Sequence, residues 1–204
     1  MIQGLLLAGG SGHRFGGQKL LARLPGGEPV VVAAARALQA GADRVLAVTR
    51  PGERELAAVL ERAGVAVAPS TKCAEGMGAS LSAGVAAAHG ADGWLVALGD
   101  MPWVRDGTVV RVARCLREGA AIAVPEHVGR GGHPVGFSRA YGPVLERLGG
   151  DRGGRDVLRA ACDRIVRVPV DDSGILRDVD RPEDLGWRGA HRRRTIVASG
   201  SAGS

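Results

Sequence analysis

The chain has 204 residues, with 27 Lys+Arg against 21 Asp+Glu and a formal net charge of +6. That length fits one domain, at about 100–200 residues each, large enough to bury about 70% of its unfolded surface without staples. No apolar run approaches the ~18 residues of a membrane span, and the N-terminus lacks the basic segment of a signal peptide. Cys73, Cys115 and Cys162 are odd in number and far apart, so neither a disulfide framework nor a zinc site is supported; three reduced thiols in a cytoplasmic protein are expected.

The basic balance invites a nucleic-acid reading. Only Lys19 and Lys72 are lysines; the other cations are Arg, in a Gly- and Ala-rich chain. Single-stranded nucleic-acid binders also need aromatic stacking platforms, and one Tyr, two Phe and three Trp build few. The cations are unevenly placed. Arg188, Arg192, Arg193 and Arg194 lie in an acid-free stretch ending in Gly, Ser and Ala, expected as a mobile tail over 188–204. Without it, 23 cations face 21 acids over residues 1–187, the expected domain. Neither a nucleic-acid nor a membrane partner is expected.

Short apolar runs alternate with helical stretches. Ile2–Ala8 reads as a buried strand ended by Gly9-Gly10, and Val30–Ala40 as an Ala-rich helix. Arg44–Thr49 is a strand. Glu53–Ala63 is an amphipathic helix with Leu56, Val59, Leu60 and Ala63 on one face. Val65–Ala68 is a strand, Ala79–His89 a helix, Trp94–Leu98 a strand, Val109–Arg117 a helix and Ala121–Val124 a strand. This alternation predicts an α/β fold: three layers, α/β/α, around a mostly parallel, Rossmann-like sheet. Strands buried on both faces explain the continuous apolar runs. After Pro125 the rhythm changes. His133–Phe137 is a short strand, suited to antiparallel pairing. Tyr141–Leu148 and Gly154–Cys162 read as helical, Arg164–Val168 as a strand and Pro182–Leu185 as a short final helix.

The strongest chemical feature is Leu5–Leu21, LLLAGGSGHRFGGQKLL. A strand ends in a glycine-rich loop carrying Arg14 and Lys19, at the sheet end where ligands of open parallel sheets bind. Glycines let backbone N–H groups approach phosphate oxygens, and the two cations supply charge to a polyphosphate. A P-loop is excluded, because Gln18 stands where its lysine belongs. A dinucleotide fingerprint is excluded, because Phe15 occupies the place of its third glycine.

Four further segments stand out. Ala97–Pro102, ALGDMP, puts Asp100 just past a strand; that carboxylate either holds Mg²⁺ or caps a turn. Cys73–Val85, CAEGMGASLSAGV, sets Gly76 and Gly78 before a helix, whose free N-terminal amides would favour an anion, with Ser80 as a hydroxyl donor. Gly131–Phe137, GGHPVGF, offers His133, either an acceptor-side group or a turn histidine that bonds locally. Asp178–Leu185, DVDRPEDL, offers Asp180 as a second metal carboxylate or as a cap on the turn starting at Pro182.

Together with Gly149–Asp156, GGDRGGRD, these motifs resemble the nucleotidyltransferases with a glycosyltransferase-A-like fold. They are most similar to the molybdenum cofactor cytidylyltransferases and their guanylyltransferase relatives. The resemblance runs from Ile2 to Gly186. EGMGASL and GHPVGF follow the cytidylyl form, whereas Ala8-Gly9-Gly10 follows the guanylyl form. The resemblance implies nucleotide binding by Leu7, Ala8, Gly9, Gly10, Gly12, Arg14, Lys19, Gly78 and Ser80, with Arg14, Lys19 and Asp100 catalytic. It implies Mg²⁺ on Asp100 and Asp180, and acceptor binding by His133, Asp151 and Arg155. The implied reaction moves CMP from CTP onto the phosphate of molybdopterin, with GTP as the alternative donor and other phosphorylated acceptors as alternative substrates. A molybdoenzyme or its maturation chaperone would receive the product. Lys72 approaches the phosphates or is a surface lysine.

Overall fold

The computed structural model describes residues 1–10, 15–151 and 153–186. Its elements, in order, are β1 (Ile2–Leu7), α1 (Val30–Gln39), β2 (Arg44–Thr49), α2 (Arg54–Arg62), β3 (Ala66–Pro69), α3 (Met77–Ala87), β4 (Gly93–Leu98) and α4 (Asp106–Arg117). There follow β5 (Ile122–His127), β6 (Arg130–Gly131), β7 (Val135–Ser138), α5 (Gly142–Leu145), α6 (Arg155–Ala160) and β8 (Ile165–Pro169). Short 3₁₀ turns include Lys19–Leu21, Thr71–Ala74, Ser173–Leu176 and Pro182–Gly186.

The strands form one sheet. β1 lies between β2 and β4, parallel to both, and β3 extends the parallel block beyond β2. β7 then runs antiparallel between β4 and β5. β8 pairs parallel with β5, and β6 closes a hairpin on it. The expected mostly parallel sheet is therefore interrupted by the reversed strand β7, with the two-residue β6 reversed at its edge; the change of rhythm after Pro125 foreshadowed this.

β1 is buried along its whole length, and its side chains alternate between two cores. Leu6 joins Ala35 and Leu38 of α1 and Val112 of α4 on one face. Leu5 and Leu7 join Leu81 of α3, Trp94 of β4 and Phe137 of β7 on the other. Both faces are thus covered by helices, giving the three-layer arrangement. Each fully buried leucine contributes about 1.5–3 kcal/mol relative to exposure, so a polar residue at Leu5 or Leu6 would break the corresponding layer.

Three helix boundaries differ from the sequence pattern, each for a local reason. α4 begins at Asp106, three residues before its apolar stripe, because Asp172 anchors its start. Its carboxylate Oδ2 accepts from the Arg105 N–H at 2.9 Å and the Thr108 hydroxyl at 2.6 Å. α3 begins at Met77, because Gly76, at φ 128°, turns the chain sharply into it. The segment expected as one helix over Tyr141–Leu148 is a 3₁₀ turn followed by the four residues of α5.

Candidate active site

The strand order reverses between β1 and β4: the chain continues from β1 to β2 on one side of this pair and from β4 to β5 on the other. Their C-terminal ends meet in register at Leu7 and Leu98, and the Gly99 N–H donates to the Leu7 carbonyl at 2.9 Å. The glycine loop after β1 and the Asp100 loop after β4 therefore open on one crevice, the position where open α/β sheets bind ligands.

Lys19 reaches this crevice from its 3₁₀ turn. Its Nζ donates to Asp100 Oδ2 at 2.7 Å and stands 3.7 Å from Asp180 Oδ1. Asp180 arrives from the far end of the chain, because the Val179 N–H donates to the Asp100 carbonyl at 2.8 Å. The backbone N–H groups of Asp180 and Arg181 donate to Asp184 Oδ2. Three residues separated by up to 161 positions thus converge. Asp178 adds negative charge nearby: partial desolvation, then the neighbouring carboxylates of Asp100 and Asp180, push its pKa up.

Asp100 Oδ1 is buried with no hydrogen-bond partner among the described residues. An unpaired carboxylate oxygen is costly, and a cation bound to this carboxylate would offset that cost. Among the described residues no three His, Cys, Asp or Glu converge as a complete ligand set. The residues fit a hard divalent ion held by one or two carboxylates, with substrate phosphate and water oxygens completing the shell.

The glycine loop is tightly fixed at its base. Leu7 and Ala8 are buried, and the Ala8 N–H donates to the Val48 carbonyl. A Cβ on Gly9 would lie 2.6 Å from Cys73 Sγ and 2.7 Å from Cys73 Cβ, so Gly9 is required by packing. The Gly9 carbonyl accepts from Arg50 Nε at 2.7 Å. Gly10, by contrast, is exposed, and a Cβ there would meet nothing within 4 Å. Gly12 and Arg14 lie outside the described residues, as does the segment from 187 to 204.

The N-terminus of α3 differs from expectation. Its first amides are not free: the N–H of Gly78 donates to the Gly150 carbonyl at 2.8 Å, and that of Ala79 to the same oxygen at 3.4 Å. The Ser80 hydroxyl donates to the Gly76 carbonyl at 2.9 Å. The Gly150 carbonyl therefore sits where an anion was expected. A Cβ on Gly76 would lie 2.3 Å from Asp151 Oδ1, which places Asp151 against this helix start.

His133 is half-buried and follows the β6–β7 break. Its Nδ1 lies 3.3 Å from the Val96 carbonyl, so the neutral ring carries its proton on Nδ1 and Nε2 is the basic nitrogen. Desolvation pushes its pKa down; Asp100 opposes that shift and Arg155 adds to it. His133, Asp100 and Arg155 thus share one electrostatic neighbourhood. Beyond Asp180 an open cleft of about 580 Å³ is walled by His127, Arg130, Arg177 and Asp178.

Three contributors escaped the sequence pattern. Arg50 fixes the glycine loop from the end of β2. Asp178 lies within the quoted DVDRPEDL segment without a role. Asp172 is buried, and its Oδ1 also accepts from the Gly174 N–H. It thereby holds the 173–176 turn, whose Ile175 carbonyl accepts from the His133 N–H at 3.0 Å. An Asp-x-Gly turn was the one available signal for Asp172.

Residues 4–166 match the family described as MobA-like NTP transferase domain. Among characterised relatives, the nicotine blue oxidoreductase of Paenarthrobacter nicotinovorans is 31% identical over 192 residues, covering 90% of this chain and 94% of that protein. The purine catabolism protein PucB of Bacillus subtilis (strain 168) is 31% identical over 193 residues, covering 89% and 92%. A nucleotidyl transferase from Methanothermobacter thermautotroptrophicus superposes with a TM-score of 0.76 at 26% identity, covering 90% of this chain and 94% of that one. The manganese complex of Rv0371c from Mycobacterium tuberculosis H37Rv superposes at 0.74 with 26% identity, covering 90% and 95%. With the fold, the crevice and this family match in hand, the chain belongs to the MobA-like NTP transferase family and is a nucleotidyltransferase.

Proposed function

We propose that the chain transfers CMP from CTP to the phosphate of a molybdopterin-type cofactor and releases pyrophosphate. The observation that carries this reading is the convergence of Lys19, Asp100 and Asp180 at the β1–β4 switch point, beneath a glycine loop. An oxygen of the acceptor phosphate attacks the α-phosphorus of the nucleotide, and the bond from that phosphorus to the bridging oxygen of the pyrophosphate breaks. The acceptor phosphate is already ionised near neutral pH, so the site must position and neutralise rather than abstract a proton. Lys19, Arg14 and the loop amides of Gly9, Gly10 and Gly12 stabilise charge on the departing pyrophosphate. Asp100 and Asp180 are the groups that would hold Mg²⁺, which when bound neutralises phosphate oxygens; the manganese complex of a related protein supports divalent-metal use.

His133, Asp151 and Arg155 are assigned to the acceptor side. Gly78 and Ser80 line the nucleotide side through the position of α3, since their own donors are engaged within the protein. CTP is favoured over GTP because EGMGASL and GHPVGF both have the cytidylyl form. The opposing signal, Gly9, is accounted for by its contact with Cys73 and so carries no base preference. Hydride transfer, suggested by the name of one relative, lacks support in the loop: Phe15 stands where a dinucleotide fold needs glycine. A molybdoenzyme or its chaperone is the proposed recipient of the product.

The test is pyrophosphate release with each of the four nucleoside triphosphates, with and without molybdopterin, in Mg²⁺. Release with CTP only in the presence of molybdopterin is expected, and Asp100→Ala should abolish it while leaving the circular dichroism spectrum unchanged. Release with GTP alone would overturn the nucleotide choice. Full turnover by Asp100→Ala would overturn the site.

A further inference from the structure

Lys19 is placed as a phosphate-binding lysine, yet its ammonium faces carboxylates. Nζ bridges Asp100 Oδ2 at 2.7 Å and Asp180 Oδ1 at 3.7 Å. Its side chain is 12% exposed, against 23% for Asp100 and 43% for Asp180. The other oxygen of Asp100, Oδ1, is buried and unpartnered among the described residues. Solvent and ions therefore reach Asp100 on the Oδ2 side, and that side is covered by the lysine. Asp178 adds a third carboxylate close enough to feel both others. Two cations cannot share the same pair of oxygens, because their mutual repulsion in a partly buried site is strong.

We propose that Lys19 is a resident counter-ion occupying the place between Asp100 and Asp180 that a divalent metal must take. Metal entry displaces the ammonium, and the incoming triphosphate gives it a new partner. Metal and nucleotide therefore bind cooperatively, each lowering the cost of the other. Without nucleotide the lysine keeps the carboxylates closed and weakens metal binding. This rests on the proposed triphosphate substrate only for the cooperative half; competition between Lys19 and metal stands on the geometry alone.

The experiment is Mn²⁺ titration of the nucleotide-free protein, reading free Mn²⁺ by electron paramagnetic resonance. Lys19→Met should bind Mn²⁺ about tenfold or more tightly than the wild type, within the usual range of coupling between sites. Lys19→Gln should move in the same direction, which guards against a folding defect in one variant. Lys19→Arg, which keeps the charge, should stay within about threefold of the wild type. Arg114→Gln removes a positive charge on α4, where Arg114 faces Glu118 on the exposed side of the helix, and should change the affinity less than about twofold. Adding Asp100→Asn to Lys19→Met should abolish the gain. A non-hydrolysable CTP analogue should tighten Mn²⁺ binding more in the wild type than in Lys19→Met. Unchanged or weaker Mn²⁺ binding in both Lys19→Met and Lys19→Gln would overturn the proposal, as would a gain that survives Asp100→Asn or is matched by Arg114→Gln. Loss of CTP turnover with the Mn²⁺ pattern intact would instead strike the proposed reaction.

Discussion

Gly9→Ala tests how the base of the glycine loop is built. The added methyl would sit 2.6 Å from Cys73 Sγ and 2.7 Å from Cys73 Cβ, against an ordinary carbon contact of about 3.5–4.0 Å. Rotating the thiol relieves the first contact only, and it disturbs the bond from Sγ to the Thr49 carbonyl at 3.3 Å. The second contact involves an atom fixed to the backbone, so the 71–74 turn or the loop must move. Overpacking of a filled core costs about 1–3 kcal/mol, and this case belongs at the upper end. At about 2–4 °C per kcal/mol for a chain of this size, the thermal midpoint should fall by roughly 5–10 °C. Cys73→Ala should not rescue Gly9→Ala, because the Cβ remains. Cys73→Gly should: in that background Gly9→Ala should cost less than about 1 kcal/mol, a coupling readable by a double-mutant cycle in urea. Gly10→Ala is the control, expected to change stability by less than about 0.5 kcal/mol. An undiminished cost of Gly9→Ala in the Cys73→Gly background would refute the steric account.

Two other outcomes follow from buried groups. Asp172→Ala leaves the Arg105 and Gly174 amides and the Thr108 hydroxyl without their acceptor, and should cost about 3 kcal/mol in chemical denaturation; a loss under 1 kcal/mol would show that the 173–176 turn is held otherwise. For His133, desolvation depresses the folded-state pKa below its ordinary 6.5, so the unfolded chain takes up the proton first. The stability associated with the neutral ring is fully present above about pH 6.5 and is lost as pH falls through the folded-state value. His133→Gln should flatten that part of the midpoint-against-pH curve, and parallel curves for the two proteins would contradict it.

The strands were legible because burial on both faces writes them as unbroken apolar runs, as in Leu5-Leu6-Leu7 and Trp94–Leu98. The crevice was legible for a related reason: glycines and an aspartate placed directly after such runs must fall at one sheet end. What could not be read is how distant segments consume one another's polar groups. Nothing near Gly78 announces that Gly150 will accept its N–H. Nothing near Arg50 announces the Gly9 carbonyl. Asp180 could equally have been a cap, and only the bond from Val179 to Asp100 turns it toward Lys19. Gly9 shows the converse hazard. A residue that looks like a recognition signal is explained by a thiol 64 positions away, because packing is invisible to motif spacing.

The reversed strand β7 also sets an order of events during synthesis. A chain emerging from its N-terminus can assemble the β3-β2-β1-β4 block once residue 98 is available. The outer edge of β4 then stays bare until residues 135–138 arrive to cover it. β5 has no bond of its own to β4, so the far part of the sheet attaches through those four residues. The carboxylate of Asp180 joins still later. For a stretch of roughly forty residues of translation, the nascent protein carries an unpaired strand edge of the kind that seeds aggregation. The ion pair between Lys19 and Asp180 can form only once residue 180 has been made.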